Sequence, residues 1–193
     1  MELLLWTDSN QPAMSTESLT QEEIRFLRTI HRGFAFEQSC KVQFLMKEAV
    51  RRMTGTMPEI FRTEHGAPYV KGEYIFVSAS HTRNVCAGAA SHYPLGIDAE
   101  KIQQPRSAAV RRFFSERERD FLADCQDPSF WFTQIWTLKE AYGKMTGRGL
   151  PGASGIEFGN NREGKLWCSD PTVVLHSFRE NGYLISSVEK TRE

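Results

Sequence analysis

The sequence predicts an α+β protein of two similar halves, and three observations carry that prediction. Segments of helical periodicity are followed by segments of strand alternation, and this order occurs twice in stretches of similar length. Capping boxes mark helix starts in both, Thr20…Glu23 in the first and Ser115…Glu118 in the second, where hydroxyl and carboxylate each satisfy the other residue's backbone N–H. Each half then ends in short strand segments separated by Gly, Pro, Asn and Asp turns. The halves are expected over residues 1–95 and 96–193.

In chain order, Leu3 to Thr7 reads as a short strand. The helix capped by Thr20, with Leu19 and Ile24 placed for a hydrophobic staple, runs to about His31, and Gly33 breaks it. A second helix is expected from Glu37 to Met53, with Phe44, Leu45, Ala49 and Met53 on its apolar side and Gly55 at its end. Strands are expected at Ile60–Thr63, Tyr69–Val70, Tyr74–Ser78, Val85–Ser91 and Leu95–Glu100, with Ser80-His81-Thr82 in a tight link between two of them. Helices come next at Ser107–Phe113 and Ser115–Ala123, where the capping box makes Glu118 structural. Asp127-Pro128 starts a long helix that reaches Met145, and Gly147 stops it. The last strands are expected at Gly155–Phe158, Lys165–Trp167, Thr172–Phe178 and Tyr183–Val188, with turns at Asn160-Asn161 and Asn181-Gly182.

Composition narrows the function classes. The chain has 193 residues, 40% of them hydrophobic and 25% charged, the balance of a globular protein with a real core. Lys plus Arg and Asp plus Glu both number 24, so net charge suggests neither nucleic-acid nor membrane binding. The N-terminus lacks a basic segment and its apolar run is too short for a signal peptide; no run is long enough to span a membrane. Cys40, Cys86, Cys125 and Cys168 are widely spaced without a Cys-x-x-Cys pair, which reads as reduced thiols in a cytoplasmic protein. The five histidines show no metal-ligand spacing. From Arg25 to Arg62 basic residues accumulate, interleaved with acids. That pattern fits solvated helix faces or a site for a polyanionic small molecule.

The long helix carries Trp136-Thr137-Leu138-Lys139-Glu140-Ala141-Tyr142-Gly143-Lys144. Trp131, Ile135, Leu138, Tyr142 and Met145 make its apolar stripe; Trp136, Lys139, Glu140, Gly143 and Lys144 form a band beside it. Taken alone, Glu140 and Lys144 are a surface pair worth about 0.3–0.5 kcal/mol. Asp98 and Glu100 lie two apart on an expected strand, so both point to one face about 6–7 Å apart. Paired carboxylates with water access suit a hard cation such as Mg²⁺, and Glu140 could complete that site. A cation there would bind a pyrophosphate, with Lys139 and Lys144 beside the phosphates and His81 within reach of one. A Ser80/His81/Asp98 hydrolase triad has little in its favour: Ser80 and His81 are adjacent, and no Gly-x-Ser-x-Gly elbow surrounds the serine. There is no Walker loop and no dinucleotide fingerprint.

Gly96-Ile97-Asp98-Ala99-Glu100 followed by the Trp136–Lys144 segment resembles the paired signature motifs of the Sfp-type 4′-phosphopantetheinyl transferases, G-[IV]-D-[IV]-E and W-x-x-K-E-[AS]-x-x-K. His65-Gly66-Ala67-Pro68 is similar to that family's G-K-P turn, and Ser78-Ala79-Ser80-His81-Thr82 to its N-x-S-H-S loop. Phe113-Phe114-Ser115 and Gly147-Arg148-Gly149-Leu150 also fit, so the resemblance runs from about Arg25 to Val188. It implies two similar α+β halves with the active site in the cleft between them. It also implies Mg²⁺-dependent transfer of phosphopantetheine from coenzyme A to a serine of an apo acyl, peptidyl or aryl carrier protein, with 3′,5′-ADP leaving. By position, Asp98, Glu100 and Glu140 are metal ligands, Glu140 is also the general base, and Lys144 acts on the leaving phosphate. Ser80, His81, Lys139 and Lys144 contact coenzyme A, with Arg28 and Lys41 as candidates for its 3′-phosphate. Ala67, where the family has lysine, removes one such contact; Ala99, Ser78 and Thr82 are milder departures. Phe113, Phe114 and the segment after them are candidates for carrier recognition. One chain supplying both halves favours a monomer. The alternatives are a magnesium-dependent hydrolase of a nucleotide pyrophosphate and a non-catalytic coenzyme A or carrier-binding module.

Overall fold

The structure is a computed structural model that describes residues 1–7, 18–160 and 165–191. These divide into two compact units, Met1–Tyr93 and Pro94–Glu193, and each is α+β.

The first unit runs β1 (Glu2–Thr7), α1 (Gln21–Ile30), α2 (Gly33–Thr54), β2 (Ile60–Arg62), β3 (Pro68–Val70), β4 (Phe76–His81) and β5 (Val85–Ser91). Its antiparallel sheet has the order β1-β5-β4, and β2-β3 is a separate hairpin. All seven residues of β5 are buried, as their small side chains predict. The Thr20–Glu23 capping box closes with both bonds made, and Leu19 and Ile24 share one core cluster. The second helix begins at Gly33, four residues before its expected start, because Arg32 caps it with no side-chain bond and no motif marks the place. β4 starts at Phe76 and runs through His81, so Ser80 and His81 are strand residues rather than a link; Tyr74, expected inside the strand, is 95% exposed.

The second unit runs β6 (Leu95–Lys101), α3 (Ser107–Phe113), α4 (Glu116–Asp124), α5 (Pro128–Thr146), a 3₁₀ turn (Leu150–Ala153), β7 (Phe158–Asn160), β8 (Leu166–Cys168), β9 (Val173–Glu180) and β10 (Tyr183–Lys190). Its sheet order is β6-β10-β9, with β7-β8 as a separate hairpin. Asn181 and Gly182 both have positive φ, 48° and 82°, the turn expected of Asn-Gly in a two-residue hairpin. The strand expected at Gly155–Phe158 starts only at Phe158, because the chain leaves α5 through the 3₁₀ turn. Asn161, of the expected Asn160-Asn161 turn, lies outside the described residues.

The two units repeat one topology. In each, the first strand is an edge, helices follow, a small hairpin comes next, and the last strand returns to the centre of the sheet. One buried clamp recurs with it. Glu23 Oε2 accepts from Thr20 N at 2.8 Å and Lys47 Nζ at 2.7 Å, and Glu23 Oε1 accepts from the backbone N of Ile60, the first residue of β2, at 3.4 Å. Glu118 Oε2 accepts from Ser115 N at 2.8 Å and Lys139 Nζ at 3.0 Å, and Glu118 Oε1 accepts from the backbone N of Phe158, the first residue of β7, at 2.9 Å. Lys47 precedes the helix-ending Gly55 by the same interval as Lys139 precedes Gly147. Aligned on these lysines, Phe44-Leu45-Met46-Lys47-Glu48-Ala49 of α2 matches Trp136-Thr137-Leu138-Lys139-Glu140-Ala141 of α5.

Candidate active site

In the second unit β6 and α5 form a site of carboxylates. A Cβ added to Gly96 would lie 1.8 Å from the carbonyl oxygen of Ala141, so only glycine lets α5 lie this close to the strand. Asp98 and Glu100 come next on the same face by the two-residue period. On α5, Trp136, Glu140 and Lys144 recur every four residues and share a face. Lys144 Nζ joins the two elements, donating to Asp98 Oδ1 at 2.8 Å and to the carbonyl of Ile97 at 2.9 Å. Asp98 is buried at 6% exposure, and Glu100 and Glu140 are half-buried.

The carboxylates feel one another. Burial pushes the Glu100 carboxyl above its ordinary range, and the charge of Asp98 adds to that. Glu140 is raised by burial, then by Asp98 and, more weakly, by Glu100. Lys144 and Arg106 pull both back. Crowded, half-buried carboxylates are a donor set of the hard-oxygen kind that a divalent cation prefers. Among the described residues, no three His, Cys, Asp or Glu side chains converge tightly enough to form a ligand cluster as they stand.

Lys139 does not join them. It is 1% exposed, donates to the Ile156 carbonyl at 2.7 Å, pairs with Glu118 and packs against the Phe114 and Phe158 rings. The expectation that it holds a phosphate is therefore corrected. Adjacent residues on a helix diverge by about 100°, so Lys139 turns away from the Glu140 face. Gly143 lies on this other line, and a Cβ there would meet the Gly149 backbone at 2.4 Å. It accommodates the chain leaving the helix. Phe114, expected at a recognition surface, is 3% exposed and stacked on Phe132.

The first unit holds the remaining candidates. A cavity of about 550 Å³ is lined by His31, Ser39, Arg62, Glu64, Ala79 and His81, among others. His81 thus faces an open volume, whereas Ser80 points to the opposite face of β4 and is 8% exposed. This separation leaves no Ser80–His81 pair for hydrolysis. Arg28 and Lys41 do not line the cavity: the Arg28 guanidinium lies 5.4 Å from the Phe36 ring centre and the Lys41 ammonium 5.1 Å from that of Trp6. The guanidinium at the cavity is that of Arg62, which no motif in the sequence marks. Its one signal is its place just before the His65–Pro68 turn. Arg106, equally unmarked, lies over Trp136 with its guanidinium carbon 4.5 Å from the ring centre.

Residues 94–187 match the family described as the 4′-phosphopantetheinyl transferase superfamily. A 4′-phosphopantetheinyl transferase of Bacillus pumilus is 37% identical over 95 residues, covering 47% of this chain and 41% of its own length. The L-aminoadipate-semialdehyde dehydrogenase-phosphopantetheinyl transferase of Saccharomyces cerevisiae is 48% identical over 116 residues, 52% of this chain and 42% of its own. The chain thus spans less than half the length of these curated relatives. The holo-[acyl-carrier-protein] synthase of Neisseria meningitidis overlays 52% of this chain and 98% of its own with a TM-score of 0.45 at 20% identity, a likeness that carries no further argument. Through its C-terminal unit, the chain is similar to the 4′-phosphopantetheinyl transferase superfamily.

Proposed function

We propose that the protein transfers the 4′-phosphopantetheine group of coenzyme A to a serine of an apo acyl, peptidyl or aryl carrier protein, releasing 3′,5′-ADP. The observation that carries this reading is the Lys144–Asp98 bridge between α5 and β6, with Glu100 and Glu140 within reach of the Asp98 charge, in the unit that matches the superfamily. Asp98, Glu100 and Glu140 are the residues that would hold a divalent cation, Mg²⁺ in this reading, which when bound offsets charge on the diphosphate. Their crowding supports the assignment, since each carboxylate costs its neighbours less once a cation is present. Glu140, held above the usual carboxylate range, accepts the proton of the carrier serine hydroxyl. The serine oxygen forms a bond to the β-phosphorus as the bond from that phosphorus to the bridging oxygen breaks. Lys144 steadies the charge that develops on the departing phosphate. Residues 1–95 supply coenzyme A-binding elements in this reading, with His81 and Arg62 of the cavity as candidates, and residues 96–193 the metal-binding and catalytic ones.

We propose further that the protein is a cytoplasmic monomer. Support comes from free Cys40, Cys86, Cys125 and Cys168, and from the repeat of one topology within a single chain. No helix among the described residues is long and apolar enough to cross a membrane.

The test is incubation with coenzyme A, Mg²⁺ and a purified apo carrier protein, read by intact mass. A gain of about 340 Da on the carrier supports transfer. Cleavage of coenzyme A without a carrier points to a hydrolase, and binding without either product points to a non-catalytic module. Asp98→Ala or Glu140→Ala should each lower transfer by on the order of 3 kcal/mol in barrier, about a hundredfold in rate. Near-normal turnover in both would overturn the mechanism.

A further inference from the structure

We infer that Arg106 is a substrate-contacting residue that binds the diphosphate of coenzyme A; this rests on the function proposed above. A diphosphate calls for more positive charge than the two lysines of the α5 motif bring to it. Lys139 is sealed against Glu118. Lys144 is engaged by Asp98 Oδ1 and the Ile97 carbonyl. Arg106 differs from both. It is exposed, and its guanidinium makes no hydrogen bond or ion pair among the described residues.

Its position is nonetheless fixed. Arg106 is the residue before α3, with extended backbone at φ −87° and ψ 108°. Its guanidinium lies over Trp136 at 4.5 Å and reaches toward Phe132 at 5.8 Å. Trp136 is itself held by Phe113, edge-on at 5.9 Å, and by Phe132, stacked at 6.1 Å. A guanidinium held over an indole by cation–π attraction still has its N–H groups to give, and their fork matches two oxygens of one phosphate. Trp136 precedes Glu140 by four residues, so the cation rests one helical turn from the proposed base and on the same face. Its charge reaches both Glu100 and Glu140, yet it pairs with neither. A preformed, unpaired fork at the edge of a carboxylate site is suited to an anion that arrives with the substrate. Arg111 and Arg112 continue on α3, and Arg112 folds onto the Phe113 ring at 5.2 Å instead.

The test is the pair Arg106→Ala and Arg106→Lys in the full chain, with thermal melts to show that both fold. Coenzyme A binding is measured by calorimetry with Mg²⁺. Steady-state transfer to purified apo acyl carrier protein is measured with each substrate varied separately. Arg106→Ala should raise the Kd and KM for coenzyme A on the order of 10- to 100-fold, the loss of a charge-assisted bond, with the carrier KM unchanged. Arg106→Lys should recover part of the loss, keeping charge without the fork. An unchanged Kd for coenzyme A overturns the inference. So does a rise confined to the carrier KM, which would assign Arg106 to carrier docking. If no carrier is modified while coenzyme A binds in an Arg106-dependent way, the inference stands and the transferase reading falls.

Discussion

Lys139 lies inside the segment that most resembles a catalytic motif, and its structure assigns it to the fold, so Lys139→Met separates the two roles. The ammonium is 3.0 Å from Glu118 Oε2 and 2.7 Å from the Ile156 carbonyl, with both side chains of the pair 2% exposed. Removing it leaves the Glu118 carboxylate buried, with only the backbone N–H groups of Ser115 and Phe158 as donors. Breaking a buried pair by deleting one partner costs about 3–5 kcal/mol. For a unit of this size, at about 5 °C per kcal/mol, the melting temperature should fall by roughly 15–25 °C. Lys139→Met combined with Glu118→Gln should recover much of the loss, because the uncompensated charge goes while the capping acceptor remains. Lys47→Met should behave as Lys139→Met does, since Lys47 makes the same bond to Glu23 at 2.7 Å with side chains 3% and 8% exposed. The assay is thermal unfolding followed by circular dichroism, with KM for coenzyme A taken well below the melt. A Lys139→Met protein that melts within 2–3 °C of the parent (under 1 kcal/mol at this size) but binds coenzyme A about tenfold worse would refute the reasoning. It would return Lys139 to the phosphates.

Three further outcomes are expected. Gly96→Ala should destabilise the second unit by at least about 1–3 kcal/mol and lower transfer with it, because the new methyl meets a backbone oxygen at 1.8 Å; a melt and a rate together check this, and an unchanged melt would show that α5 can shift. Glu100→Gln and Glu140→Gln should each raise the melting temperature without divalent cation at neutral pH while abolishing transfer. The sign comes from burial and from Asp98, which raise both carboxyls above the ordinary 4.5. A carboxyl that binds its proton more tightly when folded lowers stability as pH rises through the interval directly above 4.5, so the cation-free protein should gain stability as pH falls toward that value. Glu23 and Glu48, held below the ordinary range by Lys47 and by Arg51 and Arg52, oppose this at still lower pH, where their pairs are lost. Glu48→Gln should leave transfer unchanged in the mass assay, in contrast to Glu140→Gln.

What could be read from the sequence was local. Both capping boxes, the Asp127 start and Gly147 end of α5 and the Asn181-Gly182 turn depend on residues within one helical turn or one hairpin, and each formed as expected. The strand period paired Asp98 with Glu100 and the helix period paired Glu140 with Lys144, whereas the reading that joins the two pairs in one site came from the family resemblance. The burial of Lys139 depends on Glu118, Ile156 and Phe158, which approach from two other elements, and no period encodes their arrival. Arg106 had no spacing to mark it, since its partner is the flat face of a tryptophan thirty positions away. The early start of α2 lacked a signal because Arg32 caps it through backbone alone.

The repeat sets Glu48 of one helix beside Glu140 of the other and isolates what differs between them. Glu48 follows Lys47 as Glu140 follows Lys139, on helices clamped by the same capping-box glutamate and the same hairpin N–H. The scaffold is shared, so the difference lies in what faces the carboxylate. Arg51 grips Glu48 through two bonds at 2.6 and 2.7 Å and Arg52 adds a third at 3.2 Å, which holds the carboxyl below its ordinary range. The edge strand of that unit has its one carboxylate, Glu2, at its first residue and continues as Leu3-Leu4-Leu5-Trp6, with no pair like Asp98 and Glu100. In the second unit Gly143 stands where Arg51 would, and β6 brings Asp98 and Glu100. Glu140 is then raised where Glu48 is lowered. Opposite shifts at equivalent positions separate the two kinds of carboxylate: one neutralised by arginine from its own helix, the other left with surplus negative charge that only a cation or a proton from outside can balance.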